Sequence, residues 1–382
     1  LLIAIIGGKL QGVEAVYLAQ KSGWETLVID KNPDTPAAKM CDHFLAFEFS
    51  SSHPVPKGSP DVDLILPAVE DIEVLAAVHT WAELKQIPLA FDLEAYSVSN
   101  SKLTSNTLFR KLKLPIPASW PDCNFPVVVK PDTASGSQDV EVIYNSKSFM
   151  SWSAPQQRID NLVIQEFIHG PSYSIEVVGQ PGQYQVLQVT DLSMDKMYDC
   201  KRVMAPTVLE SDHVGRFKKM ALALAEAINL KGIMDIEVVL NDNELKLLEI
   251  DARLPSQTPI AVYWSTGINM VEMLGNLFLN GNTIPSEQKY ERFTVVEHLL
   301  FSDDNIEICG EHIMVQDGPL ALYQDFFGAD EAITSFSPEK TRWVATLIFT
   351  SDTYDDVTDK RKNCYKQIHK LSHQAPNGCK FV

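Results

Sequence analysis

No apolar run in this 382-residue chain approaches the ~20 residues that a membrane-spanning helix needs, which excludes a helical membrane protein. Positive charge is scarce: 32 Lys and Arg stand against 50 Asp and Glu, a formal charge of −18. Such a surface repels phosphate backbones, so general nucleic-acid binding is disfavoured, and any phosphate-handling site must collect its cations locally. The six cysteines form no C-x-x-C pair and the nine histidines no H-E-x-x-H, which excludes a zinc site and a disulfide scaffold. A cytoplasmic protein with reduced thiols is the expectation. There is no Ser-His-Asp or Cys-His signature and no internal repeat. The 45% hydrophobic and 21% charged residues exclude a disordered chain or a coiled coil.

What is present is enough apolar sequence for two or three domains. The opening run Leu1 to Ile6 meets Gly7-Gly8-Lys9 at once, too short for a signal peptide, and reads as a buried strand. The first residue is Leu, not Met, and a few residues are expected to precede it. Through residue 97 strands and helices alternate: a helix over Gln11–Lys21, strands at Thr26–Ile29, Val62–Pro67 and Leu89–Phe91, and a helix at Glu70–Trp81. That alternation predicts a parallel sheet with helices on both faces. Beyond it the pattern turns to α+β, with strands near 125–130, 140–144, 163–167, 173–178 and 183–189 and an amphipathic helix at Phe217–Ile228. A hairpin of Gly232–Leu240 and Glu244–Asp251 follows; the last ninety or so residues are mixed and carry little motif signal.

Three constellations carry possible chemistry. Gly7 to Gly12 lies between strand and helix, with Asp30 closing the second strand, but lysine at position 9 spoils the dinucleotide fingerprint. Glu249 and Asp251 share a strand face, and Glu237 joins them if the hairpin loop has an odd number of residues; a two-residue loop sends it to the other face. Carboxylates so clustered repel unless cations neutralise them, and hard oxygen donors suit Mg²⁺; solvent-facing acids on an exposed sheet are the alternative. Lys102 heads a helix, Lys130 ends a strand, and the small-residue loop containing Ser135 and Gly136 follows, a division of labour suited to a nucleoside triphosphate. Gln165-Glu166-Phe167-Ile168 offers a backbone edge to adenine, and Ser174 and Glu176 share a face further on.

The order Lys102, Lys130, Ser/Gly loop, Gln165 to Gly170, Glu237, then Glu249-Ile250-Asp251-Ala252-Arg253 resembles the ATP-grasp superfamily of carboxylate–amine ligases. Gly7 to Gly12, Phe91 to Tyr96, Tyr198 to Cys200, Leu230 to Asp235 and Glu249 to Asn269 are more specifically similar to its pyrrolysine-biosynthesis branch, which joins 3-methyl-D-ornithine to the side-chain amine of L-lysine.

The resemblance implies an α/β and α+β protein: a Rossmann-like pre-ATP-grasp domain over 1–97, an ATP-grasp domain over 98–285 and a small mixed α/β domain over 286–382. It implies that Lys102 and Lys130 bind ATP phosphates with Ser135 and Gly136, and that Gln165, Glu166, Phe167 and Ile168 hold adenine. Asp30 and Glu48 contribute to nucleotide or domain contacts. Glu237, Glu249 and Asp251 would take two Mg²⁺ ions. Leu10, Gln11 and Glu70 would line the lysine side, while Ser174, Glu176, Asp235, Arg253, Ser256, Gln257 and Thr258 hold the methylornithine, for which D-ornithine is an analogue. Arg253 and Lys130 would act on the reacting groups. The rival expectations are an ATP-grasp ligase for other amino acids, a non-catalytic nucleotide-binding regulator and, from the first glycine-rich turn, an NAD-dependent oxidoreductase.

Overall fold

The structure, a computed structural model, describes residues 1–133, 136, 139–153, 161–281, 288–303, 305–371 and 380–381. The first unit holds β1 (Leu2–Ile6), α1 (Leu10–Lys21), β2 (Glu25–Asp30), β3 (His43–Ala46), β4 (Leu64–Pro67) and α2 (Ile72–Lys85). The strands form a parallel sheet in the order β3-β2-β1-β4. β1 lies centrally between β2 and β4, and its uninterrupted Leu-Ile-Ala-Ile-Ile run is what a strand covered on both faces requires. The turn into α1 needs glycine. Gly7 has φ +101°, and a Cβ there would lie 2.7 Å from the Ala68 carbonyl oxygen, while one at Gly12 would lie 2.2 Å from that of Gly7. The Asp71 carboxylate caps α2 by accepting from the amides of Glu73 and Val74, worth about 1 kcal/mol. The strand expected at Leu89–Phe91 is no more than a single parallel bridge between Leu89 and Ile65.

Next come α3 (Leu93–Ser99), α4 (Lys102–Lys111), β5 (Val127–Pro131), β6 (Glu141–Ile143), α5 (Ser146–Ser153) and β7 (Leu162–Glu166); the strands form a small antiparallel sheet in the order β6-β5-β7.

The remaining strands make one twelve-stranded sheet. Its elements are β8 (Ser172–Gln180), β9 (Gln183–Val186), β10 (Thr190–Met194), β11 (Cys200–Ala205), α6 (Ser211–Ala227), β12 (Gly232–Asn241), β13 (Glu244–Asp251), α7 (Thr258–Thr266), α8 (Met270–Asn280), β14 (Phe293–Ser302), β15 (Asn305–Ile308), α9 (His312–Val315), β16 (Ala321–Phe326), β17 (Ala329–Thr334), β18 (Arg342–Ser351), α10 (Tyr354–Leu371) and β19 (Lys380–Phe381). The path runs β13-β12-β8-β10-β11-β14-β18-β17-β16-β19, with β9 on β8 and β15 on β14. Pairing of β11 with β14 carries the sheet from the middle of the chain into its last hundred residues. One face packs Leu192, Val203 and Val296 in a core shared with Ala15, Leu18 and Ile260, so α1 and α7 lie in the same cluster. Phe217 and Leu224 of α6 bury in a second cluster with Ile236, Leu247 and Ile250. Among the described residues no helix is long and apolar enough to cross a membrane, and five cysteines are free thiols; Cys379 lies outside them.

The hairpin combines both sequence alternatives. Asn241 pairs with Glu244 around a two-residue turn, Asp242 and Asn243 both at positive φ, which alone would put Glu237 and Glu249 on opposite faces. A bulge at Leu248 then shifts the register, so that Val238 pairs with Leu247 and Glu237 with Glu249.

Candidate active site

Register builds the acidic face. Glu237 lies opposite Glu249 on one side and Ser174 on the other, while Asp235 lies opposite Asp251 and Glu176. Directly opposed residues share a sheet face, so Ser174, Glu176, Asp235, Glu237, Glu249 and Asp251 project together from three adjacent strands. Burial, followed by the neighbouring charges of Glu249 and Asp251, pushes the Glu237 carboxyl above its ordinary range. Burial likewise raises Asp235 and Asp251, against the pull of Arg253. Glu176 is fully buried, which raises it to about 7; its Oε1 accepts from the Ser174 hydroxyl at 3.4 Å and its Oε2 has no partner. Glu249 goes the other way: burial opposes its charge, but Lys102, Lys130 and Arg253 prevail and hold it below the usual carboxylate range.

The lysines arrive from two other elements. Ser101 caps α4, and its hydroxyl also donates to the Asp132 carboxylate, which accepts from the Leu103 amide; the Lys102 amide donates to the Asp132 carbonyl. That tie fixes the head of α4 beside the end of β5, so Lys102 and Lys130 approach the same acids. Lys102 Nζ is 3.5 Å from Glu249 Oε2. Burial, with Lys102 adding to it, holds the Lys130 ammonium below its ordinary value against the attraction of Glu249 and Glu237.

Arg253, two residues past β13, joins the acidic face to the first unit. Its Nη1 lies 3.1 Å from Asp235 Oδ1, its Nη2 3.0 Å from Asp251 Oδ2 and its Nε 2.9 Å from Glu70 Oε1. Gln11 Nε2 donates to the same Glu70 oxygen at 2.7 Å, and Leu10 precedes it as the first residue of α1. The Tyr96 hydroxyl donates to the Glu70 carbonyl, and the Ser99 hydroxyl accepts from the Ala252 amide.

Ser256, Gln257 and Thr258 lead into α7. The Ser256 hydroxyl donates to the buried Glu311 at 3.1 Å, and the amides of Gln257 and Ile260 donate to the buried Glu14 carboxylate at 2.9 and 3.0 Å. Burial raises Glu14 to about 8 and Glu311 to about 7. Gln165 and Glu166 close β7, with Phe167 and Ile168 beyond it. The amides of Glu166 and Phe167 donate to the carbonyls of Ala118 and Pro126, and the Glu166 carboxylate pairs with Lys246 at 3.2 Å. The Phe167 ring packs edge-on against His169 and Tyr198. Gly136 lies against the His312 ring; Ser135 lies outside the described residues. Asp30 and Glu48 have local partners: Asp30 accepts from the amides of Gly8 and Asn32, and Glu48 pairs with Lys31.

Glu14, Glu311, Tyr96 and Ser99 escaped the sequence reading as site residues. Glu14 carried a signal, an acid inside the otherwise apolar stretch Val13-Glu14-Ala15-Val16. Glu311 carried none, since it reaches Ser256 across 55 positions.

The donor set fits magnesium. Six carboxylates (Glu70, Glu176, Asp235, Glu237, Glu249 and Asp251) face three cationic side chains (Lys102, Lys130 and Arg253). Among the described residues no group of three or more His, Cys, Asp or Glu side chains is arranged to hold an ion by itself. Magnesium does not need one, because it keeps its waters and is held by one or two carboxylates together with substrate phosphates.

Residues 99–257 match the ATP-grasp domain family. The 3-methyl-D-ornithine–L-lysine ligase of Methanosarcina mazei is 33% identical over 367 residues, 94% of this chain and 93% of that protein. Its counterpart in Methanosarcina barkeri is 34% identical over 367 residues, 94% of this chain and 95% of the relative. The chain belongs to the 3-methyl-D-ornithine–L-lysine ligase family. It is thus an ATP-dependent carbon–nitrogen ligase of the ATP-grasp fold, a class of enzymes that act on small molecules with ATP and Mg²⁺. The fold is shared with N5-carboxyaminoimidazole synthetase from Staphylococcus aureus complexed with ADP, at a TM-score of 0.71 and 15% identity, covering 95% of this chain and 96% of the other. The Rossmann-like first unit, the central ATP-grasp region and the mixed C-terminal part all fall within that coverage. An oxidoreductase is not favoured.

Proposed function

We propose that this ligase couples the carboxyl group of 3-methyl-D-ornithine to the side-chain amine of L-lysine, with cleavage of ATP to ADP and phosphate, as a step in pyrrolysine biosynthesis. The observation that carries the reading is the position of Arg253, where one guanidinium touches Glu70 of the first unit and Asp235 and Asp251 of the acidic face. A diamino acid with one carboxylate asks for several acids around a single strong cation, and this arrangement supplies them.

In the proposed sequence a methylornithine carboxylate oxygen attacks the γ-phosphorus, the bond to the β-phosphate oxygen breaks, and an acyl phosphate forms with ADP as leaving group. The lysine amine then attacks the acyl carbon, loses a proton, and expels phosphate to leave the amide. Magnesium, two ions held by Glu237, Glu249 and Asp251, would neutralise charge on the phosphates. Lys102 and Lys130 bind the triphosphate, and Gln165 to Ile168 with Gly136 and Ser135 enclose the nucleotide; Asp30 and Glu48 act through the loops of the first unit. Glu176, Asp235, Ser174 and the Ser256–Thr258 turn receive the methylornithine, while Arg253 stabilises charge on its carboxyl oxygen through attack and collapse. Glu70, Gln11 and Leu10 line the side from which lysine approaches, and Glu70 orients the amine.

Phosphate release measured with ATP, Mg²⁺, L-lysine and D-ornithine tests the assignment, with mass spectrometry of the product. The expected result is release only when both amino acids and magnesium are present, with one amide formed per phosphate. Release with one amino acid alone, or without magnesium, overturns it.

A further inference from the structure

The turn before α7 has a backbone that its sequence does not favour. Gln257 sits at φ +81°, ψ −52°, and the Thr258 amide donates to the Ser256 carbonyl at 3.1 Å. These are the dihedrals and the i to i+2 hydrogen bond of the rare, strained γ-turn, at a residue that has a Cβ. A strained turn persists only where its surroundings over-determine it.

Here the restraint comes from another part of the fold. Glu14, on α1, is 5% exposed, and its two carboxylate oxygens accept from the amides of Gln257 and Ile260. Glu311, just before α9, holds the preceding residue through the Ser256 hydroxyl. α1 is tied to α7 where the Trp264 indole donates to the Tyr17 hydroxyl at 2.7 Å, and to the start of α8 where Asn269 Nδ2 donates to the Leu18 carbonyl at 2.7 Å.

The held turn has a consequence for recognition. It sets the buried Thr258 hydroxyl beside the Glu176 carboxyl, whose charged form it favours, while Glu176 Oε2 makes no close hydrogen bond of its own. A buried carboxyl with acceptor capacity to spare, beside a hydroxyl that can donate to it and still accept from a ligand, suits a donor that carries positive charge.

We propose that Glu14 is a positioning residue for the amino-acid substrate: by clamping the strained turn at Gln257 it sets Thr258 against Glu176, so that the pair receives an ammonium group. The inference rests on the reading of Glu176 and the Ser256–Thr258 turn as the methylornithine side of the site. Glu14 touches no reacting group. It acts through the turn, and its influence falls on one substrate of the three.

The test is Glu14→Gln, which keeps size and hydrogen-bonding shape but puts an amide NH₂ where an oxygen accepts a backbone N–H. Steady-state phosphate release is measured with ATP, L-lysine and D-ornithine varied in turn, and amide hydrogen exchange is followed over residues 256–260. The expected result is a KM for D-ornithine raised at least about tenfold, KM values for ATP and L-lysine within about twofold of the parent, and faster exchange over the turn. Unchanged KM values, or a fall in kcat alone with all three preserved, overturn the proposal. Glu14→Asp, which keeps the carboxyl group and shortens the reach, gives the same comparison should the amide variant fail to fold. A parent protein that releases no phosphate with both amino acids refutes the substrate reading itself, and that result is visible before either variant is made.

Discussion

Glu237 and Glu249 face each other across β12 and β13 only because Leu248 bulges out between them and the hairpin turn. Without the bulge the two-residue turn would leave Glu249 in phase with Leu245 and Leu247, whose side chains bury in the core beneath α6. The bulge moves an acid from the core face to the site face.

Glu249→Gln tests that placement. Glu249 is the cluster member held most firmly as an anion, flanked by Lys102 and Lys130. The amide should lower kcat by about 100-fold or more, the scale for losing one electrostatic contact to a reacting group. Thermal melting should be almost unaltered. Full turnover in the variant would remove Glu249 from the catalytic machinery.

Removing Glu70 separates the two amino acids. Glu70→Ala takes away the acceptor shared by Gln11 and Arg253. The KM for L-lysine should climb well beyond that for ATP. A parallel rise in both would place Glu70 in general support of the fold.

Arg253→Lys asks whether geometry or charge matters. A single ammonium cannot reproduce three fork contacts to Glu70, Asp235 and Asp251. Leaving buried carboxylates short of a partner should cost about 3 kcal/mol of stability and most of the ligase activity. Denaturant unfolding and phosphate release read the two effects separately, and a lysine variant as active as the parent would show that charge alone suffices.

Alkaline pH should weaken the ligand-free fold. Burial raises Glu14, Glu176 and Glu311 from 4.5 to about 8, 7 and 7, so each contributes stability that is complete below pH 4.5 and is lost as pH rises through those values. Melting temperature measured from pH 5 to 9 should decline in the parent and decline less in Glu311→Gln. Added D-ornithine, bringing cations to the same region, should offset part of the loss; curves that superimpose would argue against buried, proton-binding acids.

Much of this was legible in the chain. The continuous apolar run of β1 and the alternation that follows it announce a parallel sheet, and the two lysines and the six acids around Arg253 stand out by spacing or resemblance, whereas Glu14 and Glu311 do not. Glu249 and Asp251, two apart on one strand, are bound to share a face, and the bulge has a trace in the apolar residues, which run Leu245, Leu247, Leu248, Ile250, a slip in phase. The helices α7 and α8 went unassigned, although Pro259 at the start of α7 and Gly267 after its end mark its limits. What the chain could not display was contact at long range. Glu14 reaches Gln257 across 243 positions, and no local pattern encodes that meeting. Asp30, implied by the resemblance as a nucleotide or domain contact, accepts from the Gly8 amide in the ligand-free chain.

Arg253 is one of the points at which the first unit and the acidic face meet, since Glu70 and Gln11 are reached from β13 through it. On the proposed function, the residues that activate the acid and those that face its nucleophile lie in different stretches of the chain, with Arg253 bridging them. Exchanging the leading stretch while keeping that arginine would be a direct way to re-address the enzyme to a new amine, with its phosphate chemistry left in place.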